Sequence, residues 1–401
     1  MFFVIRLYYK FLHVGCFKGL KQNSSCFYRR NLFYIWVKTL LKFSQLSSLR
    51  LITIILSFLF SSSLFAQTIG GSSVFNFLNL PNTTQLTGLG GVNVSVTSND
   101  VGLAFNNPSL LKKEMHTQMN AVFNNFYAGI NAYHLSFGYR HEKLKTNFGW
   151  GLTYFDYGRI SETDASGNVL GAMKPNDWVM QVSASRSYLQ KWNYGASFKF
   201  ISSNYGIYRS NGIAMDVGVL YTDTANLFSV SVLAKNMGYQ LKTYAGTEAD
   251  ELPFDLQAGI TKKLKKAPLA FSFTAHHLHQ FDIRYNDTVF NNENNFGVNK
   301  DSKFTFDKIF RHFVFAAQVF PVPQIEVTVG YNHLRRQELN INNTTNGLNG
   351  FSLGVGLVVK KLQVRYARTH YQNNTAYNQL GLNLQLNEHF GLGKFGERIG
   401  W

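Results

Sequence analysis

The chain has little cysteine, little proline and few acidic residues, and each shortage excludes a class of protein. Of its 401 residues only Cys16 and Cys26 are cysteines, and both lie in the first 66. The chain after residue 66 can therefore have neither a disulfide framework nor a thiolate metal site. Gly-x-Ser-x-Gly, Walker, dinucleotide-binding and HExxH patterns are also absent, which removes the common enzyme signatures. No run after residue 66 is long and apolar enough for a membrane helix.

An uncharged apolar run near the start predicts export. Residues 51–65, LITIILSFLFSSSLF, come after Lys42 and Arg50 and end before Ala66. A basic flank, a run too short to span a bilayer comfortably and a small residue at its end are typical of a cleaved secretory signal; a membrane anchor is the alternative. We expect cleavage after Ala66, and we interpret residues 1–45 as an over-extended start.

About half of the excess positive charge of the chain lies in this leader. Residues 1–66 hold nine Lys and Arg and no acid, so the formal net charge falls from +17 for the whole chain to +8 for the remainder. That remainder gives little support for nucleic-acid binding, and we predict no nucleic-acid partner.

Apolar side chains alternate with small or polar ones in segment after segment from about residue 119, each long enough to cross a membrane as a tilted strand of about ten residues. In one such segment Trp150 and Tyr154 alternate with Gly149, Gly151 and Thr153. A period of two indicates a strand with two different faces, as found in a soluble β-sandwich or an outer-membrane barrel. The barrel is favoured because the polar face, rich in Gly, Ser, Asn and Thr, would make a poor apolar core.

The pattern predicts an all-β fold, a fourteen-stranded antiparallel outer-membrane barrel. The strands are expected near 119–126, 131–140, 147–157, 178–187, 193–201, 213–221, 228–236, 254–263, 269–280, 311–320, 325–333, 350–359, 362–370 and 378–387. Aromatic residues at strand ends, such as Tyr154, Phe155 and Tyr157, fit an interfacial girdle.

The predicted connections alternate between short and long, as bacterial barrels require. The open ones are 158–177, 202–212, 237–253, 281–310, 334–349 and 371–377. An even strand count puts both ends of the barrel on the short-turn, periplasmic side. The long loops 281–310 and 334–349 are the candidate surface for a protein partner.

Residues 67–118, between the leader (1–66) and the barrel (119–390), have a different composition. Gly90-Gly91 and Asn106-Asn107-Pro108 imply tight, irregular turns. We interpret the segment as a hatch folded into the lumen from the periplasmic side, with these five residues as its motif. The alternative is a plain periplasmic extension, and residues 391–401 are a C-terminal tail.

The cluster His276, His277 and His279 is the obvious candidate for a metal site. Strand alternation would put His277 and His279 on one face, with Asp282 as a third ligand. Exposed histidines are common at a strand–loop junction, however, and we predict no metal, cofactor or catalytic site. Acids such as Glu162 and Asp164 lie in loops without rigid support.

Five charged residues fall mid-strand on the polar face of the predicted barrel. They are Arg186, Lys199, Asp216, Glu326 and Arg365. Charges at membrane depth indicate function by default, and we expect a lumenal network that binds the hatch to the wall.

The stretch GGSSVFNFLNLPNTTQLTGLGGVNVSVTSNDVGLAFNNPSLL (70–111) resembles the opening of the PorQ family of the Bacteroidota type IX secretion system. FDYGRISETDASGNVLG (155–171), LPFDLQAGITKKLKKAPLAFSFTAHHLH (252–279) and VGYNHLRRQELNI (329–341) continue the resemblance across residues 67–390 in order. The Asn-Asn-Pro motif is also similar to the hatch of the long-chain fatty-acid-transporter-like barrels, which have fourteen strands.

The resemblance implies a non-enzymatic barrel of the attachment complex, which exports, processes and anchors cargo proteins at the cell surface. Its implied partner is PorZ, near PorU and PorV. The alternative is an outer-membrane transporter for a hydrophobic small molecule. Membrane lipid is expected around the wall, and a lipid or lipopolysaccharide ligand remains open.

Overall fold

The computed structural model describes residues 73–164, 166–283, 305–339, 347–359, 362–372 and 375–387. All of them belong to one compact unit, Thr68–Trp401. Fourteen antiparallel strands pair in an unbroken ring, and a separate two-stranded hairpin lies in one connection.

The strands are numbered in chain order, and the hairpin is β4 and β5. Their bounds are β1 Gln118–Asn125, β2 Asn131–His141, β3 Thr146–Asp156, β4 Ile160–Thr163, β5 Val169–Met173, β6 Asn176–Tyr188, β7 Trp192–Tyr205, β8 Tyr208–Asp223, β9 Phe228–Lys242, β10 Asp255–Lys263, β11 Leu269–Ala275, β12 Phe313–Val322, β13 Ile325–Asn332, β14 Phe351–Val358, β15 Leu362–Gln372 and β16 Thr375–Gln385. β1 closes the ring by pairing with β16, where Gln118 lies opposite Gln385.

Among the residues that the structure describes, seven short helices accompany the strands. They are α1 Asn76–Asn79, α2 Thr84–Gly88, α3 Leu103–Asn106, α4 Pro108–Leu110, α5 Lys113–Met115, α6 Phe306–Phe310 and α7 His333–Glu338, with a further 3-10 turn at Tyr127–Gly129. Among the described residues, no helix has the length and apolarity needed to cross a membrane.

The two faces of the wall differ as the alternation predicts. Trp150 and Tyr154 of β3 are exposed on the outside of the ring, while Gly149, Gly151 and Thr153 are buried on the inside. The same holds around the ring: outward positions carry exposed Val, Leu, Ile, Phe and Tyr, and inward positions carry buried Ser, Thr, Asn and Gln. An apolar belt around a closed ring with a polar interior is stable only in lipid, so the protein is an outer-membrane β-barrel.

Both ends of the ring-forming chain, Gln118 and Gln385, lie at one end of the barrel, together with connections 142–145, 189–191, 224–227, 264–268, 323–324 and 359–361. We name this the short-turn end. The opposite, long-loop end carries connections 126–130, 157–175, 206–207, 243–254, 276–312, 333–350 and 373–374. The prediction that both ends of the barrel share the short-turn side is confirmed.

Two predicted open loops are wrong. The expected loops 202–212 and 371–377 shrink to 206–207 and 373–374, because the strands on either side run further than their apolar residues suggest. In the first hairpin the ladder continues through polar residues to Tyr205 opposite Tyr208, and Gly206 turns the chain at φ 70°. The polar composition of these residues predicted a loop, but backbone pairing extends the strand beyond the membrane belt.

The predicted girdle at the end of β3 is only partly correct. Tyr154 faces outward. Phe155 is buried on the inward face of the barrel, where it contacts Phe77 with the two aromatic centroids 5.4 Å apart. Adjacent strand residues point to opposite faces, so both aromatics cannot face lipid.

A buried ion pair lies where β8 and β9 lose register. Lys199 Nζ is 2.7 Å from Asp216 Oδ2 and donates to Asn236 Oδ1 at 2.8 Å. Asn236 has φ 58°, and its backbone N–H donates to Asp216 Oδ1 at 2.8 Å, so the pair stabilises a bulge in the wall. Arg186, also predicted to face inward, is exposed on the outward face near the end of β6 because its alternation matches Val182, which faces lipid.

We expect Lys199→Met to destabilise the barrel by about 3–5 kcal/mol, because it leaves the buried Asp216 carboxylate without its cation. Arg186→Met, which removes an exposed cation, should change stability by less than about 0.5 kcal/mol. Urea titration in detergent, with the folded fraction taken from the gel-mobility shift of the barrel, measures both. Equal midpoints for the two variants would contradict the assignment.

Candidate functional site

Residues 73–117, here named the inner segment, lie against the inward face of the ring. The segment begins at the long-loop end, where Val74 N–H donates to Glu251 O at 3.0 Å. It reaches the short-turn end at Thr117, whose N–H donates to Gly138 O at 2.7 Å. The first described residues thus lie at the end opposite to the one from which the sequence predicted the hatch to enter.

Hydrogen bonds join the inner segment to strands on all sides of the ring. The pairs are Gln85 with Glu326 of β13 (3.0 Å), Asn93 with Ser272 of β11 (3.0 Å), Ser95 with Thr261 of β10 (2.8 Å), Asn107 with Ser231 of β9 (2.9 Å), Leu111 O with Ser185 of β6 (2.5 Å) and Asp100 with Asn383 of β16 (3.1 Å). Many side chains of the polar inward face therefore have polar partners in the inner segment of the same chain.

The Asn-Asn-Pro motif lies at one of the contacts between the inner segment and the wall. Asn107 is fully buried; its side chain donates to Val94 O at 2.9 Å and accepts from Ser109 N–H at 3.0 Å, which caps the short helix α4. Asn106 donates to Asn93 O at 3.0 Å and accepts from Lys235 Nζ at 3.0 Å. Both asparagines thus join the inner segment to itself and to β9.

Gly90 and Gly91, the other residues of the predicted motif, lie at a second contact between the inner segment and the rest of the chain. Both have positive φ, 96° and 88°, which glycine adopts without strain. Gly90 O accepts from Arg335 Nη2 at 2.9 Å and from Asn332 Nδ2 at 3.3 Å. Arg335 belongs to α7 at the long-loop end, so this bond ties the inner segment to the base of connection 333–350.

A charged network joins the inner segment to the opposite wall. Arg365 Nη1 lies 3.2 Å from Asp100 Oδ2, and Arg365 Nη2 lies 3.4 Å from Glu326 Oε2. All three side chains are buried, and Gln85 and Gln318 donate to Glu326 at 3.0 and 2.6 Å. Lys199 and Asp216 form their separate pair, so four of the five predicted mid-strand charges face inward.

An apolar cluster lies inside the ring near the long-loop end. Phe75, Phe77 and Leu78 of the inner segment pack against inward residues of β2, β3, β6, β7 and β8, which are Ala132, Phe155, Val179, Ile201 and Ala214. Tyr157 and Tyr205, beside the cluster, donate to Asp177 Oδ2 at 2.5 and 2.9 Å. The interior near the long-loop end is therefore largely apolar around Phe75 and Phe77.

The histidine cluster does not have the predicted ligand geometry. His277 has φ 53°, which interrupts strand alternation and brings His276 and His277 together, with their ring centroids 4.9 Å apart. Asp282, the predicted third ligand, instead pairs with Lys308 at 3.0 Å. The carboxylate that joins the two histidines is Asp255, the first residue of β10, which sequence reasoning missed because it is distant along the chain.

The candidate partner loops lie partly outside the described residues. Of 281–310, residues 284–304 are not described, and of 334–349, residues 340–346 are not described. Their proposed contact with a partner stays a prediction, as do the domain division at 118 and the tail 391–401.

No protein-family model and no curated protein matches the chain. Among solved structures, the toluene transporter TbuX of Ralstonia pickettii aligns with a TM-score of 0.44 and 9% identity over 78% of this chain and 98% of that one. A deltaS2S3 mutant of the TodX monoaromatic hydrocarbon channel aligns at 0.42 and 10% over 76% and 97%, and a mutant porin of Rh. blastica at 0.27 and 7% over 67% and 97%. These matches add nothing beyond what the strand pairing shows.

The contact between Gly90 and Gly330 of β13 gives a test of the inner segment. A Cβ at Gly330 would lie 2.3 Å from Gly90 N, a backbone atom that cannot move aside alone. We expect Gly330→Ala to cost about 1–3 kcal/mol of barrel stability and to speed hydrogen exchange in residues 84–91. Gly171→Ala, whose Cβ would meet nothing within 4 Å, is the control. Unchanged exchange at 84–91 would show that the contact does not hold the segment.

Proposed function

We propose that this chain is a non-enzymatic scaffold of the outer membrane, a closed barrel that holds a protein partner of the type IX secretion machinery at its long-loop end. The observation that carries the proposal is the inner segment, which hydrogen-bonds to strands all round the ring. The resemblance of residues 67–390 to the PorQ family supplies the identity of the machinery, and the short-turn end is assigned to the periplasm.

The inner segment argues against free passage along the barrel axis. A solute moving along the axis would have to displace a segment held by buried bonds such as Gln85 to Glu326 and Arg335 to Gly90. Buried hydrogen bonds contribute roughly 1 kcal/mol each, and those to charged groups about 1.5–3 kcal/mol. Their sum makes spontaneous opening rare, which suits a rigid support.

The long-loop end presents apolar side chains beyond the membrane belt. In the β4–β5 hairpin, which is not part of the ring, Val169 and Leu170 are 69% and 67% exposed, and Ile207 in the neighbouring hairpin is 76% exposed. Apolar groups exposed to water outside the lipid region are typical of protein contact surfaces. We propose that this surface, together with loops 281–310 and 334–349, contacts the partner.

The hairpin supplies the test. We expect the double variant Val169→Asp and Leu170→Asp to retain less than about a tenth of the surface partner after affinity purification of the membrane complex, because charges replace the apolar contact. The matched control, Ser161→Asp with Thr163→Asp, adds the same charge to exposed positions of the same hairpin. Full partner retention by the first variant would exclude the hairpin from the contact.

The second candidate function is uptake of a small apolar molecule through the wall. It is favoured by the apolar cluster at the long-loop end, which includes Ala214 beside the irregular β8–β9 pairing. A molecule entering there would leave sideways and avoid the polar part of the interior.

Cells that lack the protein would distinguish the scaffold function from the transporter function. The scaffold predicts that cargo proteins are no longer anchored at the surface, while uptake of a labelled monoaromatic hydrocarbon stays unchanged. Complementation with the intact chain should then restore anchoring. Normal anchoring of cargo proteins combined with loss of hydrocarbon uptake would contradict the scaffold function and support the transporter function.

A further inference from the structure

Three potential metal ligands converge at the long-loop end of the barrel. Nδ1 of His276 and Nδ1 of His277 are 2.6 Å apart, and the latter is 3.8 Å from Oδ2 of Asp255. One ligand atom from each of the three residues lies within 4.8 Å of the others. Asp255 and His276 are buried and His277 is half-buried, so the group opens toward solvent on one side only.

The backbone holds this arrangement in place. His276 N–H donates to His312 O at 2.9 Å, and Leu278 N–H donates to Leu256 O at 3.0 Å, so both sides of the histidine pair are bound to neighbouring chain. The positive φ of His277 between these bonds turns its ring to the same side as that of His276. The pair therefore does not depend on mobile side chains alone.

Asp255 is also oriented by fixed donors. Its Oδ1 accepts from His277 N–H at 2.6 Å, and its Oδ2 accepts from Gln257 Nε2 at 2.6 Å. Such supporting bonds to a carboxylate are typical of the groups that orient metal ligands. The same Oδ2 lies 3.8 Å from Nδ1 of His277.

The hydrogen bonding of the His276 imidazole is incomplete in the described part of the chain. Its Nε2 is buried and has no hydrogen-bond partner in the described part of the chain, so no acceptor or donor there selects a tautomer. Two Nδ1 atoms that face each other need a hydrogen or a cation between them, because two lone pairs repel.

We propose that Asp255, His276 and His277 bind a divalent first-row transition metal ion, with Zn²⁺ as the best match. Two imidazole nitrogens and one carboxylate oxygen are ligands that Zn²⁺ accepts, and three protein ligands leave a fourth position for water or for an atom of a partner. The ion would join the start of β10 to the end of β11.

That position gives the ion a structural consequence. Residues 276–312 form the longest connection at the long-loop end, and His276 and His312 stand at its two bases, where His312 Nδ1 is 2.8 Å from His276 O. A metal ion on His276 would therefore stiffen the base of a loop that we expect to meet the partner. The binding itself does not depend on the proposed scaffold function.

The test uses the full-length barrel, purified in detergent through a tag without histidine and stripped with EDTA. Titration with ZnCl2 should give one Zn²⁺ per chain by calorimetry and by metal analysis after gel filtration. We expect His277→Gln and Asp255→Asn each to weaken Zn²⁺ binding by more than about tenfold. Cu²⁺ bound in place of zinc should show coupling to two nitrogens in its paramagnetic resonance spectrum.

Two controls make the result specific. His141→Gln removes a histidine at the short-turn end, and His279→Gln removes the ligand that strand alternation predicts; neither should change the affinity by more than about twofold. The gel-mobility shift verifies that each variant is folded, and half-buried His277 is the position best able to tolerate substitution. Zinc binding by the folded His277→Gln barrel at unchanged affinity, or no stoichiometric binding by the parent protein, would overturn the proposal.

Discussion

The closure of the strand ring is the constraint on which the rest of the structure depends. A backbone N–H or C=O facing lipid has no water to bond, so every strand in the membrane needs a partner on both sides. The pairing of β1 with β16, from Gln118–Gln385 to Asn125–Asn378, removes the two edges that an open sheet would leave. Closure brings the first and the last strand of the ring together. Both ends of the ring-forming chain therefore lie at the short-turn end, and the longer connections lie at the long-loop end.

Closure creates an interior, and its polarity is a consequence of the alternation of the strands. Once the apolar side chains face lipid, the serines, threonines, asparagines and charges between them face inward, where they need hydrogen-bond partners. The inner segment supplies many of these partners, for example at Glu326, Ser231 and Ser272. Charges are placed where they are matched: Arg365 lies between Asp100 and Glu326, and Lys199 is bound by Asp216 at the bulge. The apolar outer face and the polar inward face of the wall are thus two results of one pattern.

The alternation of apolar and polar residues predicted the orientation of side chains where one face of a strand meets lipid. The exposed Trp150 and Tyr154 and the buried Gly149 and Gly151 lie as their alternation predicts. It was less informative outside the membrane belt, where Ser202, Ser203 and Asn204 continue β7 although their composition is that of a loop. There the backbone ladder, and not side-chain burial, extends the strand. Arg186 was misplaced for a related reason, since near a strand end an arginine can stand on the outward face with its charge in water.

The strand period, the number of strands and the end at which the barrel begins and finishes could all be derived from the sequence. They depend on side-chain hydrophobicity and chain order, which act over a few residues. The choice of which inward groups meet belongs to the fold instead: Gly90 with Arg335, Asp100 with Arg365, and Asp255 with His276 and His277. Such pairs are distant along the chain, and their contact depends on ring closure, on strand register and on a single left-handed residue at His277. None of those is encoded in a local period, so neither the packing of the inner segment nor the proposed zinc ligands could be derived before the fold was known.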